Sequence, residues 1–335
     1  MKWILIAFIV LVMLGVLLGE PKERPPGSAV QPPNNTTTGL DENAFVDQDA
    51  LHEQVSSDTQ IDNLTIHFID VGQGDSILVE CANATMLIDA GGRDKGASVS
   101  VFLRELRISS LDYVVATHPH EDNIGGLLTI LNEYPVGNFV DSGYPHTTQI
   151  YEEMLGIIEN KSISFQVAER GKALDFAPGI QVQVLNPQKQ HSKEINENSI
   201  VLRIIDNNVS FLLMGDAGLE TEDSIIYEGY YVDSDILKVG HHASTDASGA
   251  SFIEEVSPGI SIISVGTDND YGYPHAEILE RLQNVSTIYR TDHHGTITVT
   301  TDGLTWEVIT ERNPTDQDSM KDGTSSHFPV IKVRE

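Results

Sequence analysis

Five consecutive residues, His118 to Asp122, hold two histidines and two carboxylates within the stretch "ATHPHEDNIGG". The stretch leaves one apolar run, "LDYVVA", and enters another, "LLTIL". A packed core has no use for so many ionisable groups at a strand end, whereas a metal ion does. Imidazoles spaced i, i+2 on an extended segment point the same way and can share one ion. Asp122, two residues on, can reach an adjacent ion. Other candidate ligands also end apolar runs: Asp89 after "MLI", His146 after "FVDSGYP", Asp216 after "FLLMG", and the pair His241 and His242 after "ILKVG". Each alone has an ordinary explanation. Asp216 can start the following helix, Asp89 can cap a turn or orient a ligand from behind, and His146 can be a surface residue. Their joint occurrence at strand ends points to a shared site. Nitrogen and oxygen donors without thiolates suit zinc, then manganese or iron, and argue against a closed structural zinc. A bridging carboxylate such as Asp216 would allow two ions to activate water for displacement at phosphorus or a carbonyl.

The elements that position these groups follow a regular grammar. "LTIHFID", "DSILVEC" and "ATMLIDA" read as three short strands separated by turn residues. A helix over Ala97–Leu106, the strand "YVVAT", a helix over Leu127–Tyr134, the strand "VGNFVDSG" and a helix over Ile150–Ile158 come next. The second half repeats the scheme: strands "IQVQVLNP", "SIVLRIID" and "VSFLLMGDAG", a helix over Ala217–Tyr227, then "DILKVGH", a helix, "ISIISVG" and a helix over Glu277–Leu282. "TIYRT", "TITVTT" and "WEVIT" close it. A meander followed by strand–helix alternation, twice over, predicts an α/β architecture of two sheets packed face to face with helices outside.

The flanks differ in kind. Lys2 precedes an uncharged apolar run, Trp3–Gly19, long enough at the lower limit to span a bilayer and longer than an ordinary signal-peptide core. Residues 1–19 are therefore expected to be a signal-anchor or, if cleaved, a signal peptide, with the rest of the chain on the outer face. Residues 20–62 are rich in Pro, Asn, Thr and acids and read as a tether; residues 63–311 form the candidate hydrolase domain and 312–335 a polar tail. Asn-x-Ser/Thr triplets at Asn34, Asn35, Asn63, Asn83, Asn160, Asn208 and Asn284 fit an exported protein. The single cysteine, Cys81, leaves no internal disulfide partner. With 50 acidic against 20 basic residues the formal charge is −30, which argues against a broad basic surface for nucleic acid but not against an anionic substrate held at a metal ion.

From Leu64 to about Thr310 the chain resembles the metallo-β-lactamase superfamily. Within it, the chain is most similar to the extracellular nuclease-like domain of competence DNA-uptake proteins (ComEC). The matching segments are "HFIDVGQGDSILVE", "LIDAGG", "ATHPHEDNIGGL", "DSGYPHTT", "NENSIVLRI", "FLLMGDA", "LKVGHHAS", "ISVGTDNDYGYPH" and "YRTDHHGTITVTTDG". The resemblance implies an αβ/βα four-layer sandwich with a divalent metal centre, zinc before manganese, at the sheet edge. It implies His118, His120, His146 and Asp216 at a first metal, and Asp122, Asp216 and one of His241 and His242, His241 preferred, at a second. Water activated there would attack a phosphodiester, nucleic acid included. Asp122, Lys238 and His275 are the catalytic candidates, the last two as phosphate contacts. Two departures stand out: Asn123 and Tyr273 occupy positions where the family carries histidine. An amide oxygen is a poorer ligand than imidazole, so one firm metal and a weakened second are expected. A small phosphodiester such as a phosphorylcholine-type surface group, or a non-catalytic surface binding protein, are the alternatives.

Overall fold

The computed structural model describes residues 63–313. The expected anchor, the whole of the expected tether and all of the expected tail but Arg312 and Asn313 lie outside the described residues. Among the described residues no helix is long and apolar enough to cross a membrane.

Strands β1 (Leu64–Phe68), β2 (Ile77–Cys81) and β3 (Ala84–Ile88) form an antiparallel meander, to which β4 (Leu111–Ala116), β5 (Val136–Asp141) and β6 (Ser164–Val167) add in parallel. A second sheet repeats this plan. Strands β7 (Ala173–Ala177), β8 (Ile180–Asn186), β9 (Val201–Asp206) and β10 (Val209–Leu213) run antiparallel, and β11 (Ile236–Lys238), β12 (Ile260–Ile263) and β13 (Thr287–Arg290) add in parallel. The chain then crosses back, and β14 (Ile297–Thr301) and β15 (Trp306–Thr310) complete the first sheet beside β1. The strand orders are β15-β14-β1-β2-β3-β4-β5-β6 and β13-β12-β11-β10-β9-β8-β7.

Alternation along the strands explains the layers. Leu64, Ile66 and Phe68 of β1 and Val209, Phe211 and Leu213 of β10 enter the core between the sheets. Leu78, Leu87 and Val114 face the other way, against the helices Gly96–Glu105, Leu127–Glu133 and Gln149–Lys161. Leu212, Leu237 and Ile263 do the same toward Leu219–Tyr227, Ala250–Val256 and Ala276–Gln283. The result is the four-layer αβ/βα sandwich expected from the sequence. The parallel strands β4, β10, β11 and β12 each end just before residues of the site, so that site is built at their C-terminal edge.

Candidate metal centre

The first sheet supplies His118 and His120 from the loop after β4. Inside that loop Thr117 is clamped: its N–H donates to Asp89 Oδ1 at 2.9 Å and its hydroxyl to Asp89 Oδ2 at 2.5 Å. Because the Thr117 hydroxyl proton goes to Asp89, its oxygen accepts from His118 Nδ1 at 3.0 Å. That fixes the imidazole tautomer and leaves Nε2 as the lone-pair nitrogen. The lone pair looks into a cluster in which His118 Nε2 stands 3.1 Å from His120 Nδ1 and 3.4 Å from Asp216 Oδ2. Burial pushes the Asp89 carboxyl up to about 7, against the pull of His118 and Thr117.

The second sheet supplies Asp216 after β10 and His242 after β11. His242 Nδ1 donates to the Ser264 carbonyl at 2.8 Å, which turns Nε2 toward Asp216 Oδ1 at 3.3 Å. The two oxygens of one carboxylate thus address a histidine from each half of the fold. Burial opposes charge on His242, but the Asp216 carboxylate outweighs it and lifts the imidazole to about 9. Burial likewise opposes charge on Asp216, yet His242 and His118 hold it well below the usual carboxylate range. His241, His242 and Ala243 all take left-handed backbone conformations, with φ of 45°, 52° and 64°. Such a run of non-glycine residues is costly and is characteristic of sites where side-chain aim matters.

These residues fit a divalent ion. His118, His120 and Asp216 bring ligand atoms within 4.8 Å of one another. Separations of 3.1–3.4 Å match atoms that share one ion at about 2 Å. Asp216 Oδ1 and His242 Nε2 are buried without a hydrogen-bond partner, as unused ligand atoms would be.

Other candidates stand elsewhere. His146 is half-buried, with Nδ1 bonded to Thr148 Oγ1 at 3.0 Å and its ring edge-on to Tyr151, outside the three-residue cluster. The preference for His241 is reversed by the geometry: its ring nitrogens meet Asp246 Oδ1 at 2.9 Å and Asn196 Nδ2 at 3.1 Å, and His242 is the one turned to Asp216. Lys238 is fully buried, its ammonium 2.9 Å from Asp75 Oδ2, which takes it away from any substrate phosphate. His275 accepts the Thr245 N–H at 3.1 Å and precedes the helix Ala276–Gln283. Asp122 lines a polar cleft of about 550 Å³ together with Asp70, Gln73, Lys95, Asn269 and Arg312. Asn123 is buried and engaged: its Oδ1 accepts the Asp75 N–H at 3.1 Å. Sequence reasoning missed Asp75, whose signal was a lone carboxylate between the turn "GQG" and the run "SILV", and Thr117 and Ser264, which carry no signal of their own.

A two-sheet sandwich with a histidine–carboxylate centre at its edge defines a metal-binding protein of the metallo-hydrolase architecture. The chain belongs to the metallo-beta-lactamase superfamily, whose family model matches residues 69–267. It is similar to ComE operon protein 3 of Bacillus subtilis, with 32% identity over 267 residues, which are 74% of this chain and 34% of that protein. Recombination protein 2 of Haemophilus influenzae is 29% identical over 241 residues, 69% of this chain and 27% of that protein. The chain therefore spans about a third of the length of these relatives. Among solved structures it is similar to the metallo-beta-lactamase fold protein YhfI from Bacillus subtilis, with 14% identity, a TM-score of 0.48, and coverage of 72% of this chain and all of that one.

Proposed function

We propose that this protein is a metal-dependent hydrolase of phosphodiester bonds, acting outside the membrane to which residues 1–19 tie it. The observation that carries the reading is the division of Asp216 between His118 and His242, each ring aimed by a partner behind its Nδ1. Such pre-set donors serve an ion rather than the packing. His118, His120 and Asp216 would hold the ion, His242 and Asp122 contributing beside them; zinc suits this donor set first. A divalent ion there supplies a Lewis acid that activates water and offsets charge developing on a phosphoryl oxygen. Asp89 and Thr117 keep the His118 ring aimed, with Nε2 turned to the cluster. Asp122, half-buried at the edge of the cleft, is assigned to accept the proton of the attacking water. Likeness to competence-related proteins supports nucleic acid as the substrate class, whereas the formal charge of −30 favours short substrates over long strands.

Asn123 weakens the second ion's site, because its amide oxygen is committed to the Asp75 backbone. The test is metal content per chain alongside hydrolysis of bis-p-nitrophenyl phosphate on the same preparation. One tightly held ion with turnover, both lost in His118→Ala, is the expected result. Two tightly held ions would overturn the one-ion reading. A loaded protein that hydrolyses no phosphodiester would overturn the activity.

A further inference from the structure

The loop Gly266–His275, between β12 and the helix Ala276–Gln283, carries an aromatic pair whose inner ring, Tyr273, packs on the outer core while its outer ring, Tyr271, serves neither that core nor the metal centre. Tyr271 is 61% exposed, yet it is not a loose surface ring. It stacks on Tyr273 with centroids 5.3 Å apart and planes 13° from parallel. Tyr273 in turn lies 5.5 Å from the His241 ring, 6.2 Å from His242 and 5.2 Å from His275. A ladder of rings thus runs from a candidate metal ligand out to an open face in two steps.

The ladder is held from below. Asn269 Oδ1 accepts the N–H groups of Tyr271 at 3.2 Å and Tyr273 at 3.0 Å, while its Nδ2 donates to the carbonyls of Gly266 at 3.0 Å and Tyr273 at 2.7 Å. One side chain thereby fixes the loop that presents the outer ring. Holding a large ring exposed costs apolar hydration that burial would have recovered, so a fixed, exposed ring beside a reaction centre fits a planar ligand group. Asp268 and Asp270, close to Tyr271 in the chain, are exposed, and Glu121 and Asp122 line a cleft together with Gly266, Thr267 and Asn269 of the same loop. These carboxylates repel phosphates on either side, so the ligand pairs one flat, uncharged ring with a phosphodiester and brings few further negative charges.

We infer that Tyr271, backed by Tyr273, is the stacking platform for one nucleobase, and that the substrate is a short nucleotide phosphodiester, a dinucleotide or a single-stranded end. This rests on the phosphodiesterase reading above. Stacking is indifferent to which base is present, since each offers a π-face. It also supplies affinity that does not depend on basic side chains. Tyr271 is a specificity residue: it acts on which phosphodiester binds, not on bond cleavage.

The experiment compares thymidine 5′-(p-nitrophenyl phosphate) with methyl p-nitrophenyl phosphate, which has the same leaving group and no base. The wild-type preference in kcat/KM for the nucleoside ester is expected to fall roughly 5- to 100-fold in Tyr271→Ala, and to be kept in Tyr271→Phe and Tyr271→Trp. A preference equal in wild type and Tyr271→Ala overturns the inference. A second readout does not depend on turnover: fluorescence of 2-aminopurine deoxyriboside monophosphate, titrated with metal-loaded protein. Quenching by wild type and Tyr271→Phe but not by Tyr271→Ala supports stacking even if no ester is hydrolysed. Unquenched emission at protein concentrations that saturate binding, or no binding to the wild type, overturns it. Failure of the platform and failure of the hydrolase are thereby separated.

Discussion

His242 and Asp216 each favour the other's charged form, and that mutual charging carries a cost for metal binding. With the His242 imidazole at about 9, well above its ordinary 6.5, its ligand nitrogen carries a proton at neutral pH. An ion that takes this nitrogen must displace the proton, so affinity rises with pH until about 9. Calorimetric titration of metal-free protein with zinc at pH 7 should therefore release about one proton from this residue, seen as a binding enthalpy that varies with the buffer's ionisation enthalpy. An enthalpy independent of buffer would show that His242 is not the ligand. Behind His242, Lys238 and Asp75 form a fully buried pair, with Asp75 Oδ1 only 3.9 Å from His242 Nδ1. Lys238→Met leaves the Asp75 carboxylate without its cation, and a loss of about 3–5 kcal/mol in urea unfolding is expected. Adding Asp75→Asn should recover much of that loss.

Two elements carry predictions of their own. The helix Leu219–Tyr227 places Glu222 against the start of the helix Ala250–Val256, where its carboxylate accepts the Ser248 and Gly249 N–H groups at 2.5 and 2.8 Å. Burial nonetheless raises this carboxyl from 4.5 to about 7. The folded state thus holds the proton more tightly than the unfolded chain, and the associated stability is complete below pH 4.5 and lost as pH climbs through 7. Melting temperatures from pH 4.5 to 8 should fall with a component that Glu222→Gln removes; parallel curves for both proteins would exclude this group. The second element is the loop between β1 and β2. Gly74 has φ of +108° and lies with its α-carbon against the Asp122 carbonyl, so a methyl group there collides with backbone. Gly74→Ala is expected to lower the melting temperature and weaken metal binding together, because it displaces the loop bearing Asp122. Unchanged metal affinity would show that the two loops are independent. At this scale the sequence was informative where periodicity was strong: the helix expected over Ala97–Leu106 is Gly96–Glu105, and that over Ile150–Ile158 is Gln149–Lys161. The short strands β6 and β7 went unread, since "SFQV" and "ALDFA" are too brief and too exposed for their alternation to show.

At the scale of the whole molecule, excess charge of one sign is spread over a chain with few cations to absorb it. Carboxylates on the described domain repel one another through water, and salt screens that repulsion over about 10 Å at 0.1 M. Raising sodium chloride from 10 mM to 0.5 M should raise the melting temperature; a fall would mean that ion pairs such as Arg93–Glu153 and Arg312–Asp70 outweigh the repulsion. The fold was legible because each half writes the same grammar. The candidate ligands were legible as types at strand ends, but not the way each one aims. Three successive left-handed residues decide that His242 rather than His241 meets Asp216, and no propensity of His-His-Ala announces that conformation. Lys238 likewise depends on Asp75, far away in the chain. The repeated plan has one more consequence. His118 and His120 come from the first sheet and Asp216 and His242 from the second, so neither half holds an ion securely by itself, while β14 and β15 of the second half are needed to finish the first. The ion would then act as a latch across an internal seam, tightening only after both leaves have closed and the last strands have crossed over.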